Sequence, residues 1–333
     1  MTASSRRNFH PAFMRRVEAV TTTNSMKLYH SLDDFPIANR RSALTIGNFD
    51  GVHRGHCVVI DELKRLATAH DAMAVVFTFA PHPVRILKPE AAPPPLTWIG
   101  RKAEMLAELG VDAVIAYPTD RDLLSLTYKE FFAQIIQQKI NACAMVEGPN
   151  FFFGKGRAGT PEKLGELCQQ NDIELTILEP SIKGDEFISS SRIRNLIRDG
   201  DVDQAREMLT RPYRIRGMVT HGAARGRKIG FPTANVGAID TLVPAKGVYA
   251  GRAIVNNKSH WAAIHIGPNP TFGDRLSKVE VHILDFEQSI YGSPIEVDFI
   301  SRLRDICSFE SPEDLKTQLN KDIGAARKIL RAH

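Results

Sequence analysis

The sequence predicts a two-domain α/β protein, in which a parallel sheet with covering helices is followed by an antiparallel β-barrel and a C-terminal helix. The length of 333 residues favours two globular domains, and 43% hydrophobic residues provide a core for each. Between Leu44 and Pro180, short apolar strands alternate with helical patterns. After Tyr213 the pattern changes to alternating strands, with no helical period until Pro312.

The predicted strands of the first domain are apolar nearly throughout, and helices of about ten or more residues separate them. This pattern is typical of a parallel sheet covered on both faces, which binds ligands at the carboxyl ends of its strands. The strands are predicted at 43–49, 72–79, 111–117, 142–148 and 173–179, and the helices at 58–70, 101–109, 127–138 and 160–170.

A helix pair at 190–210 ends the first domain, and Arg211-Pro212 marks the boundary. Ser311 as N-cap and Pro312 begin the final helix. Residues 26–210 and 211–333 are therefore the predicted domains, while residues 1–25 are a disordered tail or an overextended start before an initiator at Met26. The strands of an antiparallel sheet or small barrel are predicted at 213–221, 247–255, 259–267, 278–286 and 294–304.

Composition narrows the function classes. The net charge of +5 and the pI of about 9.0 suit small phosphorylated ligands, while the absence of a dense basic block after residue 16 argues against nucleic acid as a partner. The four cysteines are widely spaced, which indicates neither disulfides nor zinc and fits a reducing cytoplasm. No apolar run reaches the roughly 18 to 20 residues that span a bilayer, so no membrane partner is expected.

The stretch IGNFDGVHRGH (46–56) is the first candidate site. His53 and His56 follow the first long strand at the start of a helix, where free backbone N–H groups and the helix dipole favour an anion. Gly55 lets a phosphate approach the backbone, and Gly47 and Phe49 of the same motif are also predicted to bind ATP or its phosphates. A pair of histidines three residues apart also arises simply from sharing a helix face.

A second motif, ISSSRIR (188–194), strengthens the phosphate interpretation. Its serines, including Ser190 and Ser191, precede a helix, and Arg194 follows one turn later, so hydroxyls and a guanidinium converge at another helix N-terminus. Together the two motifs resemble the signatures of the H-x-G-H nucleotidyltransferases. That resemblance implies a Rossmann-like domain in which His53, His56 and Arg194 hold nucleotide phosphates while pyrophosphate leaves, without a covalent nucleophile.

Two loops at the ligand-binding edge complete this half. FAPHP (79–83) contains His82, and EGPNFFFGKGRAG (147–159) contains Asn150 and Phe153, where aromatic and cationic side chains suit a flat ring and its phosphate. Each phenylalanine taken alone more often anchors a loop in the core. GPNFFFGKG is not a P-loop, because five residues separate its glycines and no Ser or Thr follows Lys155.

The stretch HGAARGRKIGFPTANV (221–236) is the most specific in the chain. Glycines interleave with cations in a flap able to wrap phosphates, and Thr233 and Asn235 carry oxygen ligands of the kind that Mg²⁺ accepts beside ATP. By themselves, a Gly/Arg loop and a Thr-x-Asn are ordinary features of a solvated turn. The predicted phosphate-binding residues of the flap are Gly222, Arg225, Gly226, Lys228, Gly230 and Pro232.

GRKIGFPTAN, GVYAG, IGPNPTFG and VEVHILDF occur in an order and spacing similar to those of riboflavin kinase domains. With the first half, residues 40–330 resemble the bacterial bifunctional riboflavin kinase/FMN adenylyltransferase family. The resemblance implies that the barrel phosphorylates riboflavin with ATP to give FMN, and that the N-terminal domain joins FMN to AMP from a second ATP to give FAD. It also implies Mg²⁺ with ATP, and a monomer or weak homo-oligomer in the cytoplasm.

The resemblance assigns further roles. Glu280 corresponds to the general base for the riboflavin hydroxyl, and its place between two strand valines directs it away from the core. Asn150 matches a phosphate-binding position, while His82, Phe153 and Arg304 are expected to contact flavin. Ser191 stands where relatives carry threonine. The LRDICSF segment (303–309) also departs from the family pattern, which leaves the flavin side of the barrel less defined.

Two alternative functions remain open at this stage. In the first, the barrel is a working kinase and the N-terminal domain activates another phosphate-bearing substrate or is inactive. In the second, the chain is a non-catalytic flavin-binding or nucleic-acid-binding protein, as its pI and its arginine-containing tail would suit. His53, His56 and Arg194 argue against the first alternative, and Glu280 argues against the second because binding alone needs no base.

Overall fold

A computed structural model describes residues 26–36, 40–179, 182–183, 186–222, 226, 229–268 and 278–332. The predicted tail at 1–25 and the flap cations Arg225 and Lys228 lie outside these residues. The described chain forms a six-stranded sheet, a closed six-stranded barrel and a two-stranded hairpin. The predicted fold class, a parallel-sheet domain followed by an antiparallel barrel with a C-terminal helix, is confirmed.

The first sheet is parallel throughout, with the strand order β1-β4-β3-β2-β5-β6. The chain runs from β2 outwards to β4 and then returns to the other side of β2, so the strand order reverses between β2 and β5. Ligands bind beside such a reversal, at the carboxyl ends of the strands. The strands are β1 (Lys27–Tyr29), β2 (Ser42–Ile46), β3 (Met73–Phe79), β4 (Ala113–Tyr117), β5 (Ala142–Glu147) and β6 (Glu174–Ile177).

Helices cover both faces of this sheet, because its strands are apolar on both sides. Alternate residues of one strand enter different cores: Val75 and Phe77 pack on one face, and Ala74 and Val76 on the other. The helices are α1 (Arg54–Ala69), α2 (Pro83–Leu87), α3 (Ile99–Glu108), α4 (Arg121–Ser125), α5 (Tyr128–Phe131), which continues as a π-helix over Phe132–Lys139, and α6 (Pro161–Gln170).

A hairpin of β7 (Ile182–Lys183) and β8 (Glu186–Phe187) leads into α7 (Ser190–Asp199) and α8 (Val202–Leu209). Gly200 ends α7 in the left-handed conformation, with φ of 82°, which separates the two helices of the predicted pair. Apolar residues of this helix pair, including Ile197 and Met208, belong to the same core as the barrel interior. The helix pair therefore packs between the two predicted domains.

The barrel closes in the order β10-β13-β12-β11-β14-β9, and its pairings are antiparallel. Helix α9 (Pro312–Arg331) begins at the predicted Ser311 cap, whose hydroxyl accepts the Asp314 N–H at 3.1 Å, and packs outside the barrel. The barrel strands are β9 (Tyr213–Thr220), β10 (Ala234–Gly237), β11 (Gly247–Val255), β12 (Lys258–Gly267), β13 (Lys278–Ile283) and β14 (Pro294–Arg304).

Candidate active sites

A tight turn at the end of β2 positions the two histidines. Phe49, Gly51 and Val52 all have positive φ, at 44°, 87° and 39°, so the chain reverses within a few residues and enters α1. The side chains of Phe49 and Val52 are buried in the core behind the sheet and fix this strained turn. His53 consequently occupies the N-cap of α1 at the carboxyl end of the sheet.

His53 and His56 form a stacked pair with ring centroids 3.7 Å apart and planes 15° apart. The backbone N–H of His53 donates to His56 Nδ1 at 3.3 Å, while His53 Nδ1 is buried without a hydrogen-bond partner among the described residues. Burial lowers the pKa of His53 to about 4, although the negative charge of Asp50 opposes this shift. The pKa of His56 lies well below its usual value, first because the ring is buried and then because His53 and Lys102 are close. Both imidazoles are therefore neutral near pH 7.

Asp50 joins the two sequence motifs. Its buried carboxylate accepts the backbone N–H groups of Leu96 and Thr97 at 3.0 to 3.1 Å, and pairs with the guanidinium of Arg194. Arg194 Nε donates to the carbonyl oxygen of Pro94 at 2.9 Å, and the Ser190 hydroxyl donates to the Asp50 carbonyl oxygen at 2.8 Å. The starts of α1 and α7 are thus held together, which brings the predicted His53, His56, Ser190 and Arg194 to one site.

An open cleft of about 660 Å³ lies beside this site. Its lining includes Asp50, Arg194 and the predicted His82, whose Nδ1 accepts the Val84 N–H at 3.1 Å at the start of α2. Burial, followed by the charge of Arg194, lowers the pKa of His82. Lys102 of α3 also enters the cleft, and its ammonium donates to the carbonyl oxygen of Asn48 at 2.5 Å.

The other residues predicted to bind ATP in the parallel-sheet domain lie on the turn after β2, in the first turns of two helices and on the loop after β5. A Cβ at Gly47 would lie 3.1 Å from the ring of Phe49, Gly55 lies in the first turn of α1, and Ser191 is exposed in the first turn of α7. Asn150 is exposed on the loop after β5, outside the lining of the cleft.

Phe153 is 5% exposed and stacks on Phe151 with ring centroids 5.4 Å apart, inside the core of the sheet. This placement supports loop anchoring, and its flavin contact stays a prediction.

In the barrel, β10 places Asn235 directly opposite Glu280 of β13. The valines on either side of Glu280 enter the barrel core, so Glu280 projects from the other face, as the alternation predicted. His265 of β12 is the next residue across the sheet, with Nδ1 3.7 Å from a Glu280 carboxylate oxygen. Asn235, Glu280 and His265 therefore form a polar row across three strands.

The described part of the flap approaches this row closely. A Cβ at Gly226 would lie 2.2 Å from the carbonyl oxygen of Phe231, so backbone excludes a side chain there. A Cβ at Gly222 would lie 2.1 Å from Asn235 Nδ2 and would displace the Asn235 side chain. Gly230 has a φ of 90°, which also favours glycine. The Pro232 carbonyl oxygen accepts a hydrogen bond from His282 Nδ1 at 2.7 Å and ties the flap to β13.

A second open cleft, of about 600 Å³, lies beside the flap. Gly226, Pro232 and Thr233 line one side, and Phe286 with the segment 288–291 lines the other. Tyr291 of that segment stacks on His221 with ring centroids 4.2 Å apart. Among the described residues, no group of three or more His, Cys, Asp or Glu side chains could hold a metal ion.

Arg304, predicted to contact flavin, is held by the C-terminal helix. Its guanidinium donates to both carboxylate oxygens of Asp322 of α9 at 2.7 to 2.9 Å and to the Asp305 carbonyl oxygen at 2.8 Å. The Asp322 pair raises the pKa of Arg304. These contacts give Arg304 a structural role between β14 and α9, and its flavin contact stays a prediction.

Sequence reasoning missed three polar residues of these sites. Asp50 was present in the first motif, but an Asp-Gly pair is typical of a turn rather than of a buried carboxylate. Lys102 lies in an ordinary amphipathic helix, and His265 in an ordinary strand, so local pattern carried no signal for either. Only the packing of distant segments places them beside Arg194 and Glu280.

A parallel sheet with an anion-binding turn at its carboxyl edge, joined to a barrel with a glycine-rich flap, defines a two-domain transferase that acts on phosphorylated substrates. Family models agree with both halves: the FAD synthetase model matches residues 36–192, and the riboflavin kinase model matches residues 209–330. The chain belongs to the bifunctional riboflavin kinase/FMN adenylyltransferase family.

Relatives of this family cover nearly the whole chain. The Escherichia coli K12 bifunctional riboflavin kinase/FMN adenylyltransferase is 33% identical over 91% of this chain and 98% of its own length. The Bacillus subtilis enzyme of the same name is 36% identical over 85% of this chain and 90% of its own length. A solved structure described as a macrolide-efflux protein from Streptococcus pneumoniae has a TM-score of 0.80 at 32% identity, covering 91% of this chain and 99% of that one. Across the described residues, no helix is both long and apolar enough to cross a membrane.

Proposed function

We propose that the chain makes FAD in two ATP-dependent steps, with riboflavin phosphorylated at the barrel and FMN adenylylated at the parallel-sheet domain. The observation that carries this proposal is that two separate clefts each lie beside the polar residues of one family motif set. The first cleft adjoins Asp50 and Arg194, and the second adjoins Thr233. Riboflavin, FMN and ATP are then the small-molecule partners.

For the kinase step, Glu280 is the general base. Its carboxylate accepts the proton of the riboflavin 5′-hydroxyl as that oxygen attacks the γ-phosphorus of ATP, and the bond to the ADP oxygen breaks. The His265 imidazole lies beside this carboxylate, with Nδ1 3.7 Å from it. The glycines of the flap let its backbone approach the phosphates of ATP.

The donor set of the barrel fits Mg²⁺. Thr233 supplies a hydroxyl oxygen and Asn235 a carboxamide oxygen, which are hard, neutral ligands of the kind that magnesium combines with phosphate oxygens. Asn235 lies opposite Glu280, so a metal held there would adjoin the base. When bound, Mg²⁺ neutralises charge on the ATP phosphates.

For the adenylyl step, an FMN phosphate oxygen attacks the α-phosphorus of ATP while the bond to pyrophosphate breaks. Charge collects on the leaving pyrophosphate, so catalysis depends on positioned donors rather than on a nucleophilic side chain. His53 and His56 are neutral N–H donors at the start of α1, and the unpartnered His53 Nδ1 supports a ligand there. Arg194 enters the cleft already fixed by Asp50 and Pro94, so it needs little reorganisation.

We also infer a cytoplasmic enzyme that is a monomer or weak homo-oligomer. The four cysteines are free, which fits a reducing compartment. Size-exclusion chromatography with light scattering at micromolar concentration tests the oligomeric state, and a stable higher assembly would contradict it.

A single incubation tests the two activities. With riboflavin, ATP and Mg²⁺, the protein is expected to form FMN and then FAD with pyrophosphate release. Glu280→Gln should lower FMN formation by at least about 10²-fold and leave the conversion of added FMN to FAD unchanged. His56→Ala should do the reverse.

Glu313→Gln and His30→Ala are matched controls, because both residues are exposed in the respective domains and should leave both activities unchanged. Formation of neither product by the wild-type protein would exclude the proposal. Loss of both activities in either active-site variant would exclude two independent sites.

A further inference from the structure

Lys102 is a buried lysine at the edge of the adenylyltransferase cleft. Only 6% of the residue is exposed, and its ammonium lies 2.5 Å from the Asn48 carbonyl oxygen and 3.2 Å from Thr78 Oγ1. These partners follow or end strands β2 and β3, so the ammonium lies at the carboxyl edge of the sheet. It lines the cleft together with Asp50 and Arg194.

The environment of this ammonium is unfavourable without a further partner. Burial lowers the pKa of Lys102 to about 8, although the charge of Asp50 opposes the shift. No ion pair joins Lys102 to a carboxylate in the described part of the chain. Burying a charged group costs several kcal/mol unless an opposite charge or a full set of hydrogen bonds compensates. A neutral side chain would brace the Asn48 carbonyl at lower cost.

The positive charges that line the cleft also outnumber the negative ones. Three cations, Arg85, Lys102 and Arg194, line it against one carboxylate, Asp50. That carboxylate already receives the Arg194 guanidinium and the N–H groups of Leu96 and Thr97. An anionic ligand is the missing counter-charge, and the low exposure of the lysine would make its interaction with such a ligand strong.

We propose that Lys102 is a phosphate-binding cation of the adenylyltransferase site, where its ammonium contacts a phosphate of ATP or of FMN. This inference rests on the proposed function. Contact with the ATP phosphates would stabilise the leaving pyrophosphate, whereas contact with the FMN phosphate would orient the attacking oxygen. Both sources share one chemistry, and steady-state kinetics with each substrate varied in turn separates them.

The test compares Lys102→Met and Lys102→Arg with Lys64→Met, a control at a half-exposed lysine of α1. Lys102→Met should lower kcat/KM for FAD formation from added FMN on the order of 10²-fold. The main loss should appear with ATP varied if Lys102 contacts ATP, and with FMN varied if it contacts FMN. Titration of the protein with inorganic pyrophosphate should show weaker binding in the first case only.

Riboflavin kinase activity of the same preparations shows whether each variant is folded. Lys64→Met should match the wild type in both reactions. Lys102→Met with unchanged FAD formation, while the wild type forms FAD, would overturn the inference alone. Wild-type protein that forms no FAD would instead overturn the proposed function.

A pH series tests the proposed role of Lys102 even if Lys102→Met fails to fold. The charged and titratable groups around Lys102 are Asp50 of the turn, His56 of α1, His82 and Arg85 of α2, and Arg194 of α7. Wild-type kcat/KM for FAD formation should decline above about pH 8 as Lys102 loses its proton, and Lys102→Arg should abolish this decline. The inference would be overturned if the kcat/KM of the wild type did not decline at alkaline pH, or if Lys102→Arg showed the same decline as the wild type.

Discussion

Burial keeps His53 uncharged at the start of α1. Its pKa is lowered to about 4, chiefly because the imidazolium would lose its hydration, and Asp50 recovers only part of that loss. A neutral imidazole still donates one hydrogen bond to a phosphate oxygen, whereas a charged one would repel the nearby Arg194. The residue thus contributes a donor of fixed geometry, and the site takes its positive charge from Lys102 and Arg194 instead.

The shifted pKa of His53 links folding to pH. An unfolded histidine titrates near pH 6.5, so between pH 4 and 6.5 the unfolded chain binds more protons than the folded one. The neutral His53 therefore stabilises the fold fully above pH 6.5, and this contribution falls as pH drops towards 4. Its total is of order 3 kcal/mol.

His53→Asn should flatten the rise of unfolding free energy with pH over this window, as measured by urea melts at several pH values. His30→Asn, at an exposed position, is the control and should keep the wild-type slope. The same slope in His53→Asn and the wild type would contradict the burial argument.

At the scale of elements, the periodicity of the sequence predicted the strands whose pattern is set by residues close together in the chain. The apolar runs at 72–79 and 142–148 became β3 and β5 because strands buried on both faces need no polar alternation. Strand β10 was missed, since a strand of four residues that begins inside the Thr233–Asn235 motif is too short to show a recognisable period. Strand β1 is only three residues long and is held by pairing with β4, a contact that no local pattern encodes.

The candidate sites were predictable to the extent that their motifs are contiguous. His53 and His56, Ser190 and Arg194, and Thr233 and Asn235 each lie within a single stretch of sequence. The Asp50–Arg194 pair joins residues that are 144 positions apart, and Lys102 reaches Asn48 across 54. Such partners follow from how the sheet and helices pack, which periodicity does not describe.

The flap element gives a prediction of its own. A methyl group at Gly222 would overlap Asn235, whose Nδ2 would lie 2.1 Å from the new carbon, so Asn235 must move. Displacement of a positioning group by about 1 Å costs on the order of 10²-fold in rate. Gly222→Ala should therefore lower FMN formation by about that factor, measured with riboflavin and ATP, while FAD formation from added FMN stays unchanged.

Gly324→Ala is the matched control for this substitution. Gly324 lies within α9, and a methyl group there would meet no atom within 4 Å. It should leave both reactions unchanged and raise helix stability slightly. Full kinase activity in Gly222→Ala would show that Asn235 does not need its observed position.

At the scale of the whole molecule, the predicted boundary at 210/211 divides a shared core. Ile197 of α7 and Met208 of α8 pack in one cluster with barrel residues and with Leu96 of the proline-rich loop at 92–97. That loop faces both domains: the Leu96 N–H binds Asp50, and the Pro95 carbonyl oxygen accepts the Leu242 N–H of the barrel segment at 2.9 Å. Adjacent backbone groups of one loop therefore bind both domains and couple them across the shared core.

The shared core predicts that both activities are lost together on heating. Leu63 is fully buried behind the parallel sheet, and Ile264 is fully buried inside the barrel. Leu63→Ala and Ile264→Ala should each destabilise the protein by about 2 to 5 kcal/mol. If the domains unfold as one unit, either variant lowers the inactivation temperature of both reactions by the same several degrees, and calorimetry shows a single transition.

Val58→Ala, at a residue 47% exposed, should change neither temperature. Selective loss of FAD formation in Leu63→Ala and of FMN formation in Ile264→Ala would instead show that the domains unfold separately.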